Sequence, residues 1–287
     1  MYTIAKKELL APNIYALDIV APRVARSAKP GQFVILIADE KSERVPLTIS
    51  DYDIDTGTVQ VVVQAMGRST KKIVALEEGE AIKDFVGPLG NPSEFIHDSD
   101  EELQRRRYIF VGGGVGAAPV YPQVKYLHDR GAKVDVIVGA KSENLLILEE
   151  KMAAVSENLY IATDDGSRGF HGLVTGLLEK LVKEEHKEYD HCVAIGPMIM
   201  MKFTCLTTKE LGIPTTVSLN PIMVDGTGMC GACRCTVGGK TKFACVQGPE
   251  FDGHLVDFDE AMKRQQQYKD VETTKGLCLG ELAREAH

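Results

Sequence analysis

Tyr108-Ile-Phe-Val-Gly-Gly-Gly-Val-Gly-Ala-Ala-Pro119 is the stretch on which the reading of this chain turns. An unbroken apolar run ending in glycines reads as a strand buried on both faces. The residues that follow read as a helix over Pro119–Arg130. Gly112, Gly114 and Ala117 fit G-x-G-x-x-A, a turn whose backbone N–H groups approach a pyrophosphate that any side chain would block. The helix after the turn offers its positive end to the phosphate charge. An ordinary dinucleotide unit carries an acid about 20 residues further on to hold the ribose. Asp135 falls inside the next strand instead of at its end, so the turn reads as a related nucleotide-binding variant.

Downstream, the pattern keeps alternating. Lys133–Gly139, Leu159–Ala162 and Cys192–Ile195 read as strands, with helices around Leu145–Val155 and over Leu173–Glu185. Alternating β and α units imply a parallel sheet with helices on both faces. Upstream, Ile14–Ile19, Phe33–Ile37 and Val59–Val63 are short alternating runs, separated by turn signals such as Lys29-Pro-Gly31 and Asp55-Thr-Gly57. Several short strands at that spacing predict an antiparallel barrel or sandwich. The acidic run His97-Asp-Ser-Asp-Glu-Glu102 marks the boundary between the halves. From Pro221 the composition turns Gly- and Cys-rich. The expected division is a barrel at 1–98, an α/β nucleotide-binding domain at 104–220, a small cysteine segment at 221–258 and a tail at 259–287, in which Glu260–Tyr268 looks helical.

The whole-chain numbers narrow the function classes. At 44% hydrophobic and 26% charged, the composition is that of an ordinary globular protein. A net charge of −8 argues against nucleic acid as the main partner, because a phosphate backbone needs a basic face. No apolar run approaches the roughly 20 residues of a membrane span, and the N-terminus reads as strands rather than as a signal core. The expected location is cytoplasmic.

Of the seven cysteines, four lie between 230 and 245: Cys230, Cys233, Cys235 and Cys245. In a reducing compartment such clustering points to metal rather than disulfides. The spacing Asp225-x4-Cys230-x2-Cys233-x11-Cys245 is that of a plant-type [2Fe–2S] loop, with an aspartate where the first cysteine stands. Gly226, Gly228 and Gly231 let the backbone wrap closely there. A structural zinc site on the four cysteines is the rival. Cys233 and Cys235 share a strand face with only Arg234 between them, an awkward arrangement for zinc, and zinc leaves the glycine loop unexplained. Cys192 and Cys205 read as small buried hydrophobes. The seven histidines form no metal-ligand pair.

Arg44-Val-Pro-Leu-Thr-Ile-Ser50 resembles the R-x-P-[FYL]-[ST]-x-S signature of the ferredoxin–NADP reductase superfamily, in which a flavin-binding barrel precedes an α/β pyridine-nucleotide domain. Gly67-Arg-Ser-Thr70 stands where that family has G-x-G-T, with Ser69 replacing the second glycine. Gly87-Pro-Leu-Gly90 resembles its G-P-x-G turn, Gly114-Val-Gly116 with Pro119 its G-x-G-x-x-P loop, and Gly196-Pro197 its late C-G-P turn, with Ile195 replacing the cysteine. Met223 through Cys233, then Ala244-Cys-Val-Gln-Gly-Pro-Glu-Phe251, resemble one branch. It holds the electron-transfer subunit of dihydroorotate dehydrogenase and the small subunits of sulfide dehydrogenase and of NADH-dependent reduced ferredoxin:NADP oxidoreductase. The likeness runs to residue 260.

The resemblance implies a division of labour. Arg44, Pro46, Leu47, Thr48, Ser50, Gly67, Ser69, Thr70 and Gly87 would line an FAD site, with Arg44 on a flavin phosphate and Thr48 on the isoalloxazine. Gly112, Gly114, Gly116, Pro119, Asp164, Gly196 and Pro197 would line the nucleotide site. Asp225, Cys230, Cys233 and Cys245 would hold the cluster, as in the Asp-plus-three-Cys clusters of the NADH-dependent ferredoxin:NADP type. The four-cysteine dihydroorotate version is thereby disfavoured. In the turn Thr163-Asp-Asp-Gly-Ser-Arg-Gly169, Arg168 favours NADP(H) while Asp164 and Asp165 repel a 2′-phosphate; the family comparison favours NAD(H). No acid–base residue is needed, since hydride transfer between nicotinamide and flavin requires alignment. The expected partner is a larger flavoprotein with further iron–sulfur clusters. The competitors are the dihydroorotate dehydrogenase subunit and, in another class, a zinc-stabilised nucleotide-binding regulator. Asp225→Cys is expected to keep the cluster and shift its potential, because oxygen is a harder ligand than sulfur. An unchanged redox titration would remove Asp225 from the ligand set.

Overall fold

The computed structural model describes residues 2–268. Cys278 and the rest of the expected tail beyond Tyr268 lie outside the described residues. The N-terminal half is an antiparallel, nearly closed barrel of β1 (Tyr2–Ala11), β2 (Ile14–Val20), β3 (Phe33–Ile37), β4 (Val45–Asp53), β5 (Thr58–Gln64), β6 (Ala81–Ile82) and β7 (Asp84–Leu89). Their order is β6-β1-β2-β5-β4-β3-β7. Alternating apolar positions supply its core: Leu17 and Ile19, Val34 and Leu36, Val59, Val61 and Val63 are all buried. Helix α1 (Pro22–Ser27) starts on a proline, whose missing N–H is no loss in a first turn. Helix α2 (Arg68–Ala75) sends Ile73 into the barrel core.

Helix α3 (Asp100–Arg105) opens the second half. Its Ser99/Glu102 capping box stops the chain from continuing the barrel. A sheet then forms from β8 (Arg107–Gly113), β9 (Lys133–Ala140), β10 (Asn158–Thr163), β11 (Phe170–His171), β12 (His191–Ile195) and β13 (Thr215–Ser218), all parallel. Strand β8 explains the two-sided burial. Tyr108 and Phe110 face α4 (Ala117–His128) and α5 (Glu149–Val155), while Ile109 and Val111 face α6 (Val174–Lys183) and α7 (Met198–Glu210). The expected helix at 145–155 is shorter: Leu148 takes φ +58° and breaks it before α5. Helix α7 and β13 have no counterpart among the expectations above. The buried residues of α7, at 198, 201, 204, 205 and 208, follow helical spacing but mix Met, Thr and Cys.

The cysteine segment is sewn between both halves. It contributes the hairpin β14 (Arg234–Val237) and β15 (Lys240–Phe243), the single turn α8 (Ala244–Gln247) and β16 (Glu250–Asp252). Strand β16 extends the nucleotide sheet antiparallel to β13. Asn91 N–H donates to Gly248 O on the barrel side, at 2.7 Å. Helix α9 (Phe258–Gln265) packs Phe258 and Ala261 into the nucleotide-domain core, and Arg264 donates to Ala232 O of the cysteine loop at 3.1 Å. Helix α4 lies between the sheet and the barrel: its apolar face shares a core with Ala11, Ile14, Ala16 and Val62, and Lys125 pairs with Asp51 at 2.9 Å.

Glu250 stands where the three parts meet. Its Oε1 accepts from Ser93 Oγ at 3.0 Å and from Gln123 Nε2 of α4 at 2.8 Å. Burial pushes its carboxyl up to about 7 from 4.5, against the pull of those two donors. The folded state therefore binds the proton more tightly than the unfolded state does. Stability is highest below pH 4.5, as far as this group is concerned, and declines as pH rises to about 7. Glu250→Gln should flatten that slope in urea unfolding between pH 5 and 8. At pH 8 the variant should be the more stable protein, by up to about 3 kcal/mol.

Candidate functional site

Two glycine turns meet at the carboxyl ends of the parallel strands. Gly114 takes φ +56°, and a Cβ there would meet nothing within 4 Å, so the loop opens onto free space. Gly116 is different: a Cβ would stand 2.2 Å from Ile195 O, the residue before the second turn. Gly113 and Gly196 both press on Met200 of α7, and Gly113 also approaches Pro197. The structure thus brings Gly112, Gly114 and Gly116 against Gly196 and Pro197, with half-buried Pro119 in the first turn of α4. Open space in front of left-handed Gly114, where α4 starts, is what a pyrophosphate requires.

The rim beside this cradle is acidic. Asp164 is exposed after β10, its N–H held by Ala140 O at 3.1 Å. Asp165 folds back onto Ser167, and Thr163 Oγ1 fixes the Arg168 backbone in both directions. Arg168 pairs with Glu149 at 3.1 Å and with Glu143 at 3.4 Å. Its charge is already answered by two carboxylates.

In the barrel, half-buried Arg44, Pro46, Leu47 and Thr48 run into β4. Ser50 lies behind them, fully buried, with its hydroxyl toward Gln60 Oε1 at 3.5 Å. Gly67 caps α2. Thr70 Oγ1 accepts from the Gly67 and Met66 amides at 3.0 and 3.1 Å, which shapes the turn, and Gly67 itself opens onto free space. Ser69 is buried and reaches Glu43 Oε2 at 3.5 Å, so the start of α2 sits beside the Arg44 turn. Gly87 is demanded by packing, because a Cβ would meet Val34 Cγ1 at 2.6 Å. Arg44 Nε is buried without a partner among the protein atoms. Such a donor on a cation calls for an anionic oxygen, which fits a flavin phosphate.

The loop 225–230 lies against that same face. Asp225 Oδ1 accepts from Thr227 N at 2.8 Å, and Oδ2 from Met229 N at 3.0 Å and Cys230 N at 2.9 Å. These amides hold its carboxyl below the usual range, beginning with Thr227, so it is a charged oxygen donor. Cys233 and Cys245 stand 3.2 Å apart, sulfur to sulfur, packed with Phe33 and Ile35 of β3. Burial first, and then Cys233, push the Cys245 thiol up to about 12. Two thiolates so close require a cation to replace their protons. Cys230 is exposed at the edge. These donors, one hard and three soft, fit an iron–sulfur cluster better than zinc. Among the described residues no three His, Cys, Asp or Glu side chains converge on one ion position. Cys235 does not share a face with Cys233: it belongs to the nucleotide-domain core, its thiol toward Lys242 O at 3.7 Å. A zinc knuckle would need both on one side.

Residues missed at the sequence level are Met200, Ser93, Gln123, Glu250 and Arg264. Only Glu250 had a signal, a carboxylate inside an otherwise apolar Gly-Pro-Glu-Phe run.

A barrel, a pyridine-nucleotide cradle and a cysteine module on their shared face define an oxidoreductase that hands electrons onward. Residues 110–206 match the oxidoreductase NAD-binding domain, and residues 220–257 match the iron–sulfur cluster binding domain of dihydroorotate dehydrogenase B. The chain is 62% identical to the Clostridium beijerinckii "uncharacterized protein in adh 3′ region", over 95% of this chain and 92% of that one. It is 46% identical to the dihydroorotate dehydrogenase B (NAD+) electron transfer subunit homologue of Thermotoga maritima, over 94% of this chain and 92% of the relative. A solved structure, from work on flavin-based electron bifurcation by NADH-dependent reduced ferredoxin–NADP oxidoreductase, superposes with a TM-score of 0.87. It is 44% identical and covers 95% of each chain. The chain belongs to the ferredoxin–NADP reductase superfamily, in the branch of dihydroorotate dehydrogenase B electron-transfer subunits.

Gly116→Ala forces a methyl against a main-chain oxygen that cannot rotate away. It is expected to destabilise the fold by about 1–3 kcal/mol and to weaken NADH binding measured by calorimetry. Wild-type stability and affinity in this variant would break the link between the two turns.

Proposed function

We propose that this chain is the FAD- and [2Fe–2S]-dependent small subunit of an NAD(P)H oxidoreductase of the NADH-dependent reduced ferredoxin:NADP type. It exchanges hydride between NAD(H) and FAD and passes single electrons through a cluster held by Asp225, Cys230, Cys233 and Cys245. The observation that carries this reading is the position of β3. Phe33 and Ile35 pack on Cys233 and Cys245, and in the β-ladder they pair with Thr48 and Pro46 of the flavin motif. One strand separates the two expected cofactors.

Flavin supplies the exchange between paired and single electrons, and the cluster carries the single ones. The protein's part is placement. Arg44 and the start of α2 receive phosphate, Gly114 opens the nucleotide cradle, and Pro197 and Met200 shape its far end. The carboxylates around Arg168 favour NAD(H) over a 2′-phosphorylated nucleotide. Around exposed Cys230, Met229 is 89% exposed, Val224 50% and Val246 42%. An apolar rim at the cluster edge suits a larger flavin- and iron–sulfur-containing partner. Asp225 favours this type over the dihydroorotate dehydrogenase subunit. The 44%-identical neighbour comes from work on electron bifurcation, which makes bifurcation in the complex of this chain the activity to assay.

Anaerobic purification with the native partner tests the proposal. NADH should reduce the complex at least about tenfold faster than NADPH at this subunit, the worth of about 1.4 kcal/mol. A partner that contains FMN and oxidises dihydroorotate would overturn the choice within the branch.

A further inference from the structure

Arg44 leads into β4 and carries, on the reading above, a flavin phosphate. Its guanidinium also does something else. Nη2 donates to the main-chain carbonyl of Asp225 at 2.9 Å, across 181 residues of sequence. Nε remains buried and without a protein partner. A guanidinium holds five donors in one rigid plane, so two of its edges can serve different acceptors at once.

The carbonyl it grips has little freedom. Gly226 follows at φ +75°, and a Cβ there would stand 2.2 Å from Ile35 Cδ1. The peptide after Asp225 is therefore wedged between Arg44 and β3. On its other side the Asp225 carboxylate gathers the amides of Thr227, Met229 and Cys230. Any shift of this peptide displaces the part of the loop that holds two of the four expected cluster ligands.

We propose that Arg44 is a positioning residue shared by two sites, with one edge for the FAD phosphate and the other for the cluster loop, so that FAD binding and cluster retention favour each other. The inference rests on the cofactor assignment above. Linkage makes the coupling reciprocal. Lysine, a point charge, can serve the phosphate or the carbonyl but offers no second rigid edge.

Iron release from the full-length chain to a chelator, measured with and without saturating FAD, tests this. Wild-type protein should release iron about tenfold more slowly with FAD bound, the scale of one hydrogen bond to a charged group. In Arg44→Lys, loaded with FAD to the same occupancy, the ratio should fall below about twofold. Thr48→Val, which alters the flavin site and leaves Arg44, should keep the wild-type ratio at saturating FAD. Wild-type iron release indifferent to FAD overturns the proposal without recourse to any variant, and so does a full ratio in Arg44→Lys. A wild-type chain that takes up neither FAD nor iron is a separate result: it overturns the cofactor assignment itself.

Discussion

A half-buried carboxylate, Glu250, receives a hydrogen bond from Ser93 where the chain leaves the barrel and another from Gln123 on the helix beneath the nucleotide turn. It belongs to neither domain but to the cysteine segment that joins them. Burying a polar side chain at such a junction costs free energy unless its partners are held in place. Barrel, sheet and cysteine module must therefore dock in one arrangement for the bonds to form. The same arrangement sets Phe33 and Ile35 under Cys233 and Cys245, and it brings the Asp225 loop to Arg44. Electron transfer needs short, fixed separations, and on the proposed cofactor assignment this junction would supply them.

Charge does further work at the nucleotide rim. An arginine there could have welcomed a 2′-phosphate, but Glu143 and Glu149 hold it. The cluster edge shows the opposite chemistry: Met229, Val224 and Val246 leave apolar surface around an exposed thiol.

The elements that read clearly from sequence are those whose pattern is simple. The run at 108–113, buried on both faces, and the alternating strands at 33–37 and 58–64 appear close to their expected bounds. Helix α7 was hidden because its buried face is built from methionine, threonine and cysteine, which carry a weak apolar signal. Asp135, unreadable as a ribose ligand, lies inside β9 near its start, away from the carboxyl ends of the strands. There it accepts from Asn158, Lys187 and Tyr189 and ties strand to loop. Cys235 could not be separated from Cys233 by spacing alone, since the turn into β14 is what sends them into different cores. The sharing of Arg44 between two motifs 181 residues apart is a product of tertiary packing and leaves no local trace.

The cofactor content of the purified full-length chain tests the account most directly. Anaerobic protein should carry about one FAD and about two iron atoms per chain, with flavin bands over broad iron–sulfur absorption that bleach on addition of NADH. Colourless protein containing zinc, or coloured protein that NADH leaves unchanged, would contradict it.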